Sequence, residues 1–375
     1  MEIFLYIVAA VAILIFLWWL ISLIWGKPWS VNLFFTRVFL DILFDSPEIL
    51  TMIGVLERVG IYRHNAKLAD ASDAHEIKQY TKIKRFIRIL RSYDRKRVKQ
   101  TQVLSVDILD WFLDDQLRSE PFRHNTYPIN QMFGVQSQLP NLMLTMHPLG
   151  HIRGARTYIK RLGKFGIKID QTLEGLRIRE EKGSFPPSFT VRHVLEEMRN
   201  FITPPAKENP IYTVFEEKIG NLKLSSAAKE KLLAGVEEEI NQTVYPAYQR
   251  LIDYFESLEP KVTEDRGVWN LPDGDAYYTH CLRSSTSTEL TPDEVHEIGL
   301  REVARIEGEM SAILEELGYE GTNPAKQLAD FGEEERFLYP NTDQGRADCL
   351  EDFQRMLDEM DETIDEVFDI RPKAG

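Results

Sequence analysis

Signals that start an α-helix recur along the whole chain, while strand signals are sparse. Ser30 can cap a helix running to about Phe44. Ser46-Pro47-Glu48 sets a capping serine before a proline at the first helical position, where the missing N–H costs no hydrogen bond. Gly54 and Gly60 bracket the end of that segment. Shorter helices are predicted over residues 153–163, 169–181 and 190–202, separated by Pro186-Pro187 and Pro204-Pro205. A rod of about 30 residues starts at Ser225 or Ser226 and reaches Leu258, with Pro246 inside it as a predicted kink. Thr291-Pro292-Asp293-Glu294 is a capping box, and the helix it opens reaches Leu317 and stops at Gly318. A last helix, strongly acidic, covers residues 343–366. Only residues 367–372, "VFDIRP", have the β-branched alternation of a strand start. The fold class read from these signals is all-α or nearly so.

The N-terminus adds a second constraint. Residues 3–25, "IFLYIVAAVAILIFLWWLISLIW", carry no charge. At ~1.5 Å per helical residue such a run can cross a hydrocarbon core of ~30 Å. Trp18, Trp19 and Trp25 lie toward one end, and Trp25 sits beside Lys27 like an interfacial anchor. A cleaved signal peptide has a basic start and a shorter apolar core; here the start is Met-Glu. The expected organisation is a transmembrane anchor over residues 1–27, apolar juxtamembrane helices over 28–65, and an elongated helical domain over 66–375. Lys27 and Arg37 after the span favour a cytoplasmic location for the C-terminal side, but two residues are a small bias for a long domain.

The net charge of -14 is unevenly spread. Residues 1–168 hold 23 Lys and Arg against 14 Asp and Glu, whereas residues 169–375 hold 22 against 45. So acidic a chain is a poor nucleic-acid binder. Residues 72–98 read as a long amphipathic helix whose apolar Ile83, Phe86, Ile87 and Leu90 alternate with many lysines and arginines. The simpler reading is a solvated face paired with the acidic helix beginning at Thr101; the alternative is contact with anionic lipid. Cys281 and Cys349 read as free thiols.

Local chemistry is thin. His296-Glu297 looks like the first half of H-E-x-x-H, but Leu300 stands where the second histidine belongs. His296 falls on the stripe Val303, Ile306, Met310, Ile313, Leu317, so a buried histidine satisfied by a hydrogen bond is expected there. His147 and His151 are four apart, yet Pro148 and Gly150 between them favour a turn over a metal-binding helix. The carboxylates of residues 343–366 read as a solvated face. No G-x-S-x-G, Walker A, G-x-G-x-x-G or C-x-x-C occurs.

One longer stretch is more specific. "LPDGDAYYTHCLRSSTSTELTPDEVHEIGLREVARIEGEM", from Leu271 to Met310, resembles a segment of the bacterial family known as domain of unknown function 885. "INQMFGVQSQLP" from Ile129, "YIKRL" from Tyr158, "ENPIY" from Glu208 and the terminal "VFDIRPKA" support it. The resemblance implies a zinc-metallopeptidase-like protein, exported or anchored outside the cytoplasm, with a deep channel between two helical lobes. In that architecture the H-E-x-x-H helix comes after the "VFDIRP" region, where a small sheet begins. This chain then corresponds to the N-terminal lobe, with no catalytic residue, no metal ligand and no cofactor of its own, zinc being implied for the complete family domain. Tyr277, Tyr278, His280 and Arg283 are the candidates for a peptide-channel wall, against ordinary packing with satisfied polar tips. The partners implied are membrane lipid at the N-terminal helix, a peptide substrate or a C-terminal half, and no nucleic acid. A non-catalytic, membrane-anchored helical binding or scaffold protein is the competing reading.

Overall fold

A computed structural model describes residues 26–262, 267–319, 321 and 323–371. They form helices joined by turns, with no strand among them. The chain divides into two compact units, Met1–Thr288 and Glu289–Gly375.

The first unit begins with α1 (Val31–Asp45), α2 (Pro47–Ile53) and the single turn α3 (Val55–Arg58). Ser30 caps α1 by accepting from Asn32 N–H, and Gly54 ends α2 at φ 66°, a left-handed conformation that costs glycine least. The basic segment becomes α4 (Asp73–Arg91), capped by Ser72, and the acidic one α5 (Gln100–Arg118). These two pack side by side. Val31, Phe34 and Val38 of α1 bury against Phe86, Ile87 and Leu90 of α4 and Val106 and Leu113 of α5. The charged faces match: Arg91 reaches Asp110 at 2.8 Å and Asp114 at 3.0 Å, Lys84 reaches Glu120 at 2.7 Å, and Arg95 pairs with Asp107. Each such exposed pair contributes only about 0–1 kcal/mol.

The main core is built by α6 (Val135–Asn141), α7 (Ile152–Leu162), α8 (Phe165–Glu181), α9 (Ser188–Ile202), α10 (Pro210–Gly220), α11 (Ser226–Glu239) and α12 (Tyr245–Leu258). Tyr158, Phe165, Val194, Phe215, Val236, Leu251 and Phe255 are fully buried in it. The long rod predicted from Ser225 is α11 and α12 joined by a π-helical turn, Ile240–Val244. Proline has no N–H to give that turn, so a wider loop there relieves the clash at Pro246. Arg161 is fully buried and ties the early segments to α7. It donates to Thr51 Oγ1 at 2.7 Å, to the carbonyls of His64 and Lys67 at 3.1 and 3.0 Å, and to His147 Nδ1 at 3.3 Å. The unit ends with α13 (Gly274–Thr286).

The second unit holds α14 (Pro292–Glu316), α15 (Pro324–Gly332) and α16 (Asp343–Thr363). Thr291 and Glu294 make both bonds of the predicted capping box. Phe331 packs against Tyr319 and Phe337, with ring centroids 5.4 and 4.6 Å apart.

Three expectations need correction. The fold is all-helical, but among the described residues no helix is long and apolar enough to cross a membrane. Even α1, the most apolar of the early helices, has 15 residues, or ~22 Å, and carries Arg37, Asp41 and Asp45. The expected transmembrane helix at residues 3–25 lies outside the described residues. Residues 367–371 form no strand, for no neighbouring strand is present among the described residues to share its hydrogen bonds. The stripe through His296 is not an inward one: Val303 is 54% and Ile313 58% exposed, and His296 is exposed with them. Periodicity identified a face, and nothing described within the second unit covers it.

Candidate functional site

The helix that carries the sequence candidates, α13, is held at both ends. Asp273 adopts φ 50°, and Gly274 follows it against the Val268 carbonyl, only 2.3 Å from where a Cβ would stand. Asn125 Nδ2 donates to the Pro272 carbonyl at 2.7 Å. Toward the other end, Arg283 Nη1 and Ser284 Oγ donate to the buried carboxylate of Asp115 on α5, at 3.0 and 2.7 Å. The Arg283 guanidinium also lies over the Trp111 ring, 5.6 Å from its centroid.

Between these fixings the helix faces two concavities. The larger, about 710 Å³, is lined by the loop residues Asn125 to Tyr127, by Phe185, Pro186 and Phe189, and by Leu271 and Tyr277. The smaller, about 260 Å³, is lined by Glu76, Tyr80, Phe122, Arg123, His280 and Cys281, and again by Thr126 and Tyr277. Tyr277 and Thr126 therefore stand where the two meet. Phe122 stacks on His280 at 5.6 Å and tilts against Tyr277 at 5.7 Å, so one ring braces both candidates. Burial pushes the Tyr277 hydroxyl up to about 12, with the Cys281 thiol adding to the shift, so it stays a neutral donor.

A polar layer beneath fixes the loop. Arg179 donates to the carbonyls of Thr126, Arg123 and Gly175, at 2.7, 3.1 and 2.9 Å. Asp73 accepts from Arg123 at 3.2 Å and from His124 Nε2 at 2.9 Å. Lys182 Nζ donates to His124 Nδ1 at 2.7 Å, which requires the proton on Nε2. Burial lowers His124, the bond to Asp73 opposes the shift, and Lys182 and the nearby arginines add to it. The Tyr127 hydroxyl donates to the Phe185 carbonyl, closing the loop onto the start of α9.

The model of a family described as "Bacterial protein of unknown function (DUF885)" matches residues 47–375. The chain belongs to the DUF885 family. Two solved structures resemble it. One is described as the putative lipoprotein from Colwellia psychrerythraea, with TM-score 0.77 and 23% identity over 89% of this chain and 60% of that one. The other is described as a putative lipoprotein of unknown function from Shewanella oneidensis, with TM-score 0.61 and 12% identity over 92% of this chain and 59% of that one. At these identities the likeness is one of fold. The DUF885 chain thus spans about 60% of the length of these neighbours. No curated protein matches it.

Within this DUF885 chain the four sequence candidates separate. Tyr277 and His280 line the concavities. Arg283 is committed to Asp115, and Tyr278 is 45% exposed and lines neither space. Sequence reasoning missed Glu76, Tyr80, Phe122, Arg123 and the loop to Tyr127. The available signal was the dense polar and aromatic run Arg123-His124-Asn125-Thr126-Tyr127 before Pro128, since ordered loops often carry binding groups.

The described residues do not fit the zinc that the family resemblance implies. No group of three His, Cys, Asp or Glu side chains among them could hold a metal ion. His296 is exposed, with Leu300 one turn on. His147 is engaged by Arg161 and the Gly154 carbonyl, and His151 caps α7 by accepting from Gly154 N–H at 3.0 Å.

Proposed function

We propose that this DUF885 chain is the N-terminal, peptide-binding lobe of a peptidase-like protein, and that its ligand lies along the two concavities that meet at Tyr277. The observation that carries the reading is that junction: a rigid loop and an anchored helix present aromatic walls and backbone-fixed polar groups to one open groove. An extended peptide advances ~3.3 Å per residue and exposes alternate side chains, so it can fill a ring-lined space while its backbone meets fixed donors and acceptors. The coverage of about 60% of the neighbouring structures supports reading the chain as a lobe of a larger architecture. No zinc ligand set fits among the described residues, so the proposal assigns binding here and no hydrolytic step. The description of both neighbours as lipoproteins supports a protein that works in association with a membrane, outside the cytoplasm; alkaline phosphatase fused after Gly375 should be active in cells.

Isothermal titration of the purified chain with unstructured tetrapeptides, such as Ala-Phe-Ala-Ala, tests the binding. Saturable binding is expected, and Tyr277→Ala should weaken it about tenfold, the value of one well-packed ring contact. No saturation at millimolar peptide, or a Tyr277→Ala protein that binds as well as the parent, would overturn the reading.

A further inference from the structure

The smaller concavity holds a carboxylate with nothing to do. Glu76 lies on α4, half-buried, in the wall of the ~260 Å³ space. Among the described residues its side chain has neither a hydrogen-bond donor nor an ion-pair partner. The two cations nearest in effect, Arg179 and Arg123, are engaged elsewhere: Arg179 holds three carbonyls, and Arg123 is bonded to Asp73. Burial raises the Glu76 carboxyl, Asp73 adds to the rise, and the two arginines offset only part of it. A half-buried carboxylate without a hydrogen-bond partner is partly desolvated, and a cation delivered to it offsets that cost.

Apart from Arg123, whose charge is paired with Asp73, the rest of the wall suits a particular cation. The rings of Tyr80, Phe122 and Tyr277 line the same space, and aromatic faces attract ammonium groups. Their positions are fixed: Tyr80 shares a hydrogen bond with Ser119, and Phe122 is braced by His280. Ser119 and Ser284 also line the space, and they spend their protons on the Gln116 carbonyl and on Asp115, so each oxygen is left as an acceptor, that of Ser119 already taking the Tyr80 proton. Carboxylate, rings and hydroxyl acceptors form a set that takes a small primary ammonium, which has three protons to donate and no acceptor.

We infer that Glu76 anchors a positively charged amino group of the ligand, with the rings of Tyr80, Phe122 and Tyr277 around it. The inference rests on the peptide-binding reading and narrows it: the smaller concavity receives the peptide's ammonium end and the larger one receives the chain beyond it. The ammonium can come from a free amino terminus or from a lysine side chain.

The experiment is calorimetric titration of the full chain with three probes: Ala-Phe-Ala-Ala, its N-acetyl form, and N-acetyl-Lys-Phe-Ala-Ala. Each is also titrated into Glu76→Gln. That substitution keeps the shape and removes the charge, and Glu76 gives up no hydrogen bond within the described protein; an unchanged melting temperature checks the fold. The parent should bind the free-amino peptide at least about tenfold more tightly than the acetylated one, as expected for a hydrogen bond to a charged group. Glu76→Gln should bind the two alike. Recovery of tight binding by the N-acetyl-lysine peptide assigns the site to a side-chain ammonium; no recovery assigns it to the amino terminus. Equal binding of free and acetylated peptides by the parent, or a preference that survives in Glu76→Gln, overturns the inference. In that event, loss of both affinities in Tyr277→Ala would leave the peptide-binding reading standing, whereas no binding of any probe by the parent overturns both.

Discussion

Arg283 shows how a residue chosen for its chemistry can be held for architecture. Its guanidinium answers a carboxylate, Asp115, that is 3% exposed and has Ser284 as its other donor. Removing one member of such a pair leaves a buried charge uncompensated, which costs about 3–5 kcal/mol. Arg283→Met should therefore lower the urea midpoint strongly, while Tyr278→Ala, at an exposed position, should move it little. His147 makes the second case at this scale. Burial holds it down to about 3, and the neighbouring Arg161 charge acts in the same direction. Its folded pKa lies below the unfolded 6.5, so the unfolded chain binds the extra proton between these values. Stability contributed by neutral His147 is therefore complete above pH 6.5 and falls as pH drops toward 3. Before most carboxylates titrate, between pH 6.5 and about pH 4.5, the loss amounts to about 2 kcal/mol. Urea unfolding across this range should show that decline in the parent and a shallower one in His147→Gln.

Among the elements, start signals were the most legible feature of the sequence. Ser30, Ser225 and Thr291 each cap the helix after them, since a cap needs only a side-chain oxygen two or three residues before its donor, whereas Ser46 begins its helix without that bond. The consequence of Pro246 was legible in place but not in kind. A proline demands relief, and its form as a π-helical turn between α11 and α12 depends on the packing of Ile240 and Val244 in the core. The start of α7 depends on a closer fit. A Cβ on Gly154 would lie 2.1 Å from the Pro148 carbonyl oxygen, a backbone atom that cannot swing aside. Gly154→Ala should cost roughly 1–3 kcal/mol by forcing the turn at His147 open, read as a drop in melting temperature; an unchanged melt would show that the turn yields freely.

The molecule as a whole joins a densely packed unit to a sparsely packed one. Met1–Thr288 contains both clusters of buried apolar side chains, whereas among the described residues of the second unit Leu314 is the one large apolar side chain in the buried class. Residues 289–375 carry 25 acidic residues against 8 basic ones, so self-repulsion adds to thin packing. Local opening is governed by buried contact, and amide exchange should therefore be fast in α14 to α16 and slow in α7 to α12. Hydrogen-exchange mass spectrometry would show this as a step in protection near residue 289, and uniform protection on both sides would contradict it.

What the sequence determined by itself was local: the helical class, most caps and stops, the matching of a basic helix to an acidic one, and α13 as the carrier of notable residues. Each rests on neighbours within a turn or two, or on charge runs long enough to find each other. The tertiary structure decided the rest. Glu76, Phe122 and Arg123 stand more than 150 positions before Tyr277 and share its cavity only because Asp115 and Asn125 fasten α13 to the earlier helices. It also decided that Arg283 pairs with Asp115 and that the stripe through His296 is exposed. Periodicity tells which side of a helix is apolar; the partner of that side is set by contacts between distant parts of the chain.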